Sequence, residues 1–235
     1  MSVATTPVTS WNRMTAHFVN LLDDLRRRSL RMASQVEDMV HEAIEAVFSQ
    51  DESLSRRIVA RDHEIDAAEV EVEREVIRLM ALYQPVGVDL RLLCTILKVN
   101  SDLERIADCA VNIAERAKHG QVQDLANANA ELKQMGPIVR RILRDSIHAY
   151  SLDDAMLATK VLGEDEAVDS LYAQILRALV NNANKATENM AGHLDLLSVA
   201  KNLERIADHA TNVAEDVIFL TTGAIVRHQP DSPRA

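Results

Sequence analysis

Two stretches of this chain, one hundred residues apart, are nearly the same. Leu103–Glu115 (LERIADCAVNIAE) and Leu203–Glu215 (LERIADHATNVAE) differ only at Cys109/His209, Val111/Thr211 and Ile113/Val213. A second register joins the first. Asp62 and Asp66 align with Asp165 and Asp169 at an offset of 103, and Ile44, Ala46, Leu54 and Ile65 then face Ile147, Ala149, Leu157 and Val168. The chain is a tandem duplication, so its fold must be one unit built twice and packed against its copy.

The unit is helical. Apolar residues recur at steps of three, four or seven in every long segment. Segment one carries Phe18, Leu22, Leu25, Met32, Val36, Met39 and Ala43, and segment two Leu54, Ile58, Ile65, Ala68, Val72 and Leu79 up to the breakers Pro85 and Gly87. Segment three carries Ile96, Leu103, Ala107, Ala110 and Ala114. Segments four (about 131–152), five (about 154–184) and six (about 193–221) repeat the plan. The expected architecture is all-α: two three-helix bundles in tandem, six long antiparallel helices packing knobs into holes. The spans read as a flexible arm at 1–12, a first repeat at 13–118 and a linker at 119–130. A second repeat follows at 131–222 and a disordered tail at 223–235.

Composition excludes several alternatives. Six Gly and five Pro in 235 residues supply too few turns for a sandwich or a doubly wound sheet. With 36 acidic against 26 basic residues the chain carries a formal charge of −10, so nucleic acid is not an expected partner. No apolar run reaches the roughly 18 residues of a membrane span, and the start (MSVATTPVTSWNRM) lacks the apolar core of a signal peptide. Cys94 and Cys109 fall in one helix, about 22 Å apart at about 1.5 Å per residue, too far for a disulfide. A soluble protein of a reducing compartment, without membrane insertion, is expected.

With a and d placed on the apolar seam, Asp62, Glu104, Asp165 and Glu204 fall at e, and Asp66, Asp108, Asp169 and Asp208 at b. Four acidic pairs spaced i,i+4 thus occupy equivalent outer flanks of four helices. Carboxylates on a solvated face are ordinary, but like charges at i,i+4 repel by a few tenths of a kcal/mol, and all four sites make that choice. Asn112/Asn212 and Glu115/Glu215 also recur on the exposed stripe. Clustered carboxylates suit a hard or borderline cation, whose coordination relieves the repulsion. These eight residues are the candidate metal ligands, one site per repeat, and an all-oxygen set does not name the metal.

Rival chemistries find less support. A ferritin-like di-iron core needs Glu-x-x-His facing inward, and neither repeated motif contains it. His209 follows Asp208, but its counterpart is Cys109, so it reads as incidental. His41, His63, His148 and His193 show no ligand spacing, and no phosphate-binding loop, elbow serine or CxxC occurs. Catalytic and organic-cofactor residues are therefore not assigned. The cluster Arg26-Arg27-Arg28-Ser29-Leu30-Arg31 reads most simply as a solvated helix face, with a docking site for an acidic partner as the alternative.

Across Met14 to Leu220 the sequence resembles the PhoU family of phosphate-specific transport accessory proteins. The marks are Gln84-Pro85-Val86 followed by Asp89-Leu90-Arg91, then Leu103-Glu104-Arg105-Ile106-Ala107-Asp108 with Asn112, and the second copy at Leu203–Asp208 with Asn212. The family's E(D)xxxD motif falls on Asp62/Asp66, Glu104/Asp108, Asp165/Asp169 and Glu204/Asp208. Gln84-Pro85 has no counterpart in the second repeat, where Lys185–Gly192 is polar instead. The resemblance implies side-by-side three-helix bundles, a homodimer, and divalent or trivalent metal ions (iron, zinc, manganese or magnesium) on the bundle surfaces. It further implies a cytoplasmic, non-catalytic regulator. Such a protein would link the ATPase subunit of the phosphate ABC transporter to the phosphate-sensing histidine kinase, repress the phosphate regulon and restrain phosphate uptake. A metal-dependent hydrolase or a metal-buffering bundle using the same carboxylates is the alternative.

Overall fold

The computed structural model describes residues 9–49, 51–118, 121–182 and 189–226, and among them every regular element is an α-helix. Three long helices come first: α1 (Thr9–Phe48), α2 (Glu52–Tyr83) and α3 (Gly87–Ala117). Then follow α4 (Gln121–Ala128), α5 (Ala130–Leu152), α6 (Ala155–Val161), α7 (Asp165–Asn182) and α8 (Met190–Thr222). Local chemistry sets the boundaries. Asp51 caps α2 by accepting from the Ser53 amide at 2.8 Å, and Asn129 caps α5 by accepting from Leu132 N at 2.7 Å. Gly223 ends α8 in the left-handed region at φ 77°, the conformation glycine takes without strain.

α1, α2 and α3 pack mutually, as do α5, α7 and α8, with α6 wedged between α5 and α8. Leu25, Met32, Met39, Ile58, Ile65, Leu79, Ile96 and Ile106 are fully buried on the first side. Leu132, Met135, Val139, Ile142, Tyr150, Val168 and Val213 are buried on the second. Each large apolar side chain so placed contributes about 1.5–3 kcal/mol against exposure to water.

The most extensive helix pairing lies between the two halves, α3 against α8. Arg91 Nε donates to Leu220 O, Lys98 Nζ lies 3.0 Å from Asp216 Oδ1, Asp102 meets His209 and Asn212, and Arg116 reaches Asp195. Rising numbers on α3 meet falling numbers on α8, so the two helices run antiparallel. Equivalent residues are thereby exchanged by a pseudo-twofold axis. α1 also crosses α5, where a Cβ on Gly136 would stand only 3.1 Å from Ile44 Cγ2. Glycine there sets how closely the helices approach.

Four expectations need correction. α1 begins at Thr9, inside the span expected as an arm; residues 1–8 lie outside the described ones. The stretch 119–130, expected as a linker, contains α4, because Val122 and Ala126 at i,i+4 give it an apolar face buried against α8 and α1. Its buried Gln123 amide donates to Ala117 O. The second repeat's middle segment is α6 and α7 rather than one helix. It breaks at Leu162–Glu164, where Gly163 stands and Arg141 holds the Glu164 carboxylate at 3.0 Å. Lastly, the described start of the expected tail runs to Val226, which packs against the core. Residues 227–235 and most of the polar stretch after α7 (183–188) lie outside the described residues.

The basic cluster on α1 is likewise more than a solvated face. Arg26, a quarter exposed, grips Asp153 of the second half through both carboxylate oxygens at 2.9 and 2.6 Å and also donates to Tyr150 O and Ser151 O. Beside it Ser29 and the fully buried Tyr150 share a hydroxyl–hydroxyl bond of 3.0 Å, and burial pushes the phenol up to about 12.

Candidate cation-binding patches

Each half carries its acidic residues in the groove between its middle and last helices. In the second half, α7 supplies Asp165 and Asp169, and α8 supplies Glu204 and Asp208. Carboxylate oxygens of Asp169, Glu204 and Asp208 come within 4.8 Å of one another, the only such trio of potential ligands among the described residues. Glu204 is half-buried and the two aspartates are exposed, as flank positions require. Asp165, the first residue of α7, stands one turn before Asp169 and helps raise its carboxyl.

The electrostatics record the crowding. Burial, then Glu204 and Asp169, push Asp208 up to about 6. Asp169 is raised by burial, Asp165 and Glu204. Burial here desolvates the charged form, and neighbouring anions add to the same penalty.

In the first half, α2 brings Asp62 and Asp66 to face Glu104 and Asp108 on α3. Burial and then Asp66 and Asp108 raise Asp62; burial, Asp108 and Glu69 raise Glu104. Their oxygens do not form a trio as tight as the second patch's. All eight candidate residues therefore sit in two grooves, four to a groove. The donors are carboxylate oxygens only, the set that suits hard and borderline cations. A rotation of exposed side chains would bring three or four onto one ion, so the residues present fit such a group.

Two features escaped the pattern. Glu69 lies seven residues after Asp62, hence at the same e position, and its carboxyl is raised by burial, Glu73 and Asp66. It belongs to the first patch, and the heptad alone could have found it. His209 is not incidental. Its Nδ1 lies 2.8 Å from Asp102 Oδ1, which Asn212 Nδ2 also contacts at 3.1 Å. Asp102 is 9% exposed, so α3 holds a buried carboxylate against α8. No periodicity could signal this, because the partners lie on different repeats. Elsewhere, Cys94 and Cys109 are free, and burial pushes the Cys109 thiol up to about 11, which leaves it a packing residue rather than a nucleophile.

Comparison with known proteins follows the same outline. A family model, the PhoU domain, matches twice, at 29–117 and 132–217. A relative from Clostridium acetobutylicum, named phosphate-specific transport system accessory protein PhoU homolog, is 37% identical over 88% of this chain and 94% of its own. The crystal structure of PhoU from Pseudomonas aeruginosa superposes with a TM-score of 0.81 at 33% identity, covering 88% of this chain and all of that one. That of the phosphate transport system regulatory protein PhoU from Streptococcus pneumoniae gives 0.80 at 29% identity, covering 89% and 99%.

Proposed function

The chain belongs to the PhoU family, and from that premise we propose that it is a cytoplasmic negative regulator of the phosphate regulon that also restrains phosphate uptake. It is a regulatory accessory protein of phosphate transport rather than an enzyme. In this reading it bridges the ATPase subunit of the phosphate ABC transporter and the phosphate-sensing histidine kinase, acting as a homodimer. Among the described residues no helix is long and apolar enough to cross a membrane.

The observation that carries the reading is the doubled domain match, which spans both carboxylate grooves. Eight flank carboxylates lie outside the core. They cost repulsion without contributing packing, the expected position of groups kept for recognition. Loaded with divalent or trivalent ions, each patch would lose its negative field and offer a different surface to a partner. Charge at an interface rim acts mainly on encounter and specificity. Among the described residues Asp66, Asp108, Asp169 and Asp208 are exposed, so the hydrolase alternative would have to activate water at an open helix surface.

The test is alkaline phosphatase output in phosphate-rich medium, in a deletion strain with and without the wild-type gene. High output without the gene, returned to low by it, is the expected result. A Glu104→Ala, Asp108→Ala protein should fail to restore repression and should lose the transporter ATPase in co-purification while its helicity stays at the wild-type value. Low output in both strains, with no co-purified transporter or kinase, would sink the proposal.

A further inference from the structure

The two grooves are built from equivalent positions, yet their neighbours differ in charge. Position 101 on α3 is Ser, and its equivalent on α8 is Lys201; position 69 on α2 is Glu, and its equivalent on α7 is Tyr172. Lys201 places its ammonium 2.6 and 2.5 Å from the two Glu204 oxygens and 5.2 Å from the centre of the Tyr172 ring. The trio of carboxylates drawn within 4.8 Å includes this same Glu204. The tightest cluster among the described residues is thus the one that already contains a cation.

Among the described residues, no ammonium pairs with a carboxylate of the first groove. Glu69 stands where Tyr172 would be, facing Glu104 and Asp66. Ser101 offers no charge. Arg105 acts to lower the Glu69 and Glu104 carboxyls, and His63 that of Asp62, in each case behind burial and the two strongest neighbouring carboxylates. In the second groove Glu166 faces Asp169 at the position equivalent to His63. Carboxylate side chains can rotate onto an arriving ion, but a tethered ammonium must first be moved off one.

We infer that the grooves are unequal cation sites: Lys201 is a built-in counter-ion that a divalent cation must displace from Glu204, whereas the first groove has no such ion and gains Glu69 as a further oxygen ligand. The inference rests on the reading that both grooves bind cations. Its consequence is a graded response. The first groove fills at low metal concentration and the second only at higher concentration, so the protein would present two surfaces in succession.

The experiment is a Mn²⁺ titration of the full-length, metal-stripped protein, with free Mn²⁺ followed by its paramagnetic resonance signal. Wild type should show a tight and a weak class. Asp108→Asn should remove the tight class and Asp208→Asn the weak one. Lys201→Ser should tighten the weak class by about 5-fold, the worth of about 1 kcal/mol of surface ion pairing, and Lys201→Gln should act likewise. Glu69→Tyr should weaken the tight class alone. Two classes that ignore Lys201→Ser and Lys201→Gln, or a weak class that Asp108→Asn removes, would overturn the ranking while leaving cation binding intact. Absence of Mn²⁺ binding in every protein, with circular dichroism unchanged, would overturn the parent reading as well.

Discussion

Asp208 carries the largest carboxylate displacement in either groove, and its direction fixes a testable sign. Its folded-state value of about 6 lies above the ordinary 3.8, so between these limits the folded protein holds a proton that the unfolded chain releases. Stability from this group is present below about pH 4 and is lost as pH rises through about 6. In the presence of a chelator, Asp208→Asn should therefore melt at a higher temperature than wild type at pH 7.5. The gap should close as pH falls toward 4. Thermal melts across that range check it, and a gap that widens on acidification would reverse the sign. At this scale the sequence was informative about the four acidic pairs, since a heptad places charges on a flank without reference to any partner. It was uninformative about Lys201 and Asp102, because their roles depend on which side chain of another helix lies opposite.

At the scale of elements, the seam between α3 and α8 is held by groups that are not interchangeable between the copies. Lys98 pairs with the buried Asp216 at 3.0 Å, while the equivalent of Asp216 in the first copy is Arg116, which reaches Asp195. Asp102 accepts from Asn212 and pairs with His209, while its equivalent, Asn202, donates to Ser198 O within its own helix. Replacing Asp102 by Ala leaves two part-buried donors without their acceptor and should cost about 1–3 kcal/mol. Urea unfolding should show this as a lower midpoint with an unchanged slope; Asp102→Asn, which keeps an acceptor oxygen, should lose less. Gly136→Val probes the other crossing. The added methyls meet Ile44 and should cost about 1–3 kcal/mol by overpacking, measured in the same way. Helix existence was legible from periodicity. The break between α6 and α7 was less so, because Gly163 alone is a weak stop and the ion pair from Arg141 on α5 is long-range.

For the whole molecule, duplication announced two similar halves but not how they join. A seam of a and d positions describes one buried face per helix, whereas α3 is covered by α1, α2 and α8 together. Thr95, Asp102 and Cys109 are buried although they lie off the first bundle's seam; α8 reaches all three, through Asp216 O, His209 and the nearby Arg205. The halves therefore share a packed seam, for all that each matches a domain model of its own. Residues 9–118 expressed alone would leave the α8-facing side of α3 in water, together with the α1 surface that Arg26 and Ser29 turn toward α5. Surface that is buried in the full chain and uncovered in a fragment drives association. The pseudo-twofold axis offers α3 of a second copy as a substitute for α8, but Asp102 would then face Cys109 in place of His209, a poorer partner for a buried carboxylate. Sedimentation velocity should find the fragment self-associated, and its melting should depend on concentration, as linkage to association requires. A monodisperse monomer that unfolds cooperatively at a temperature independent of concentration would show instead that the α3–α8 seam joins two finished domains.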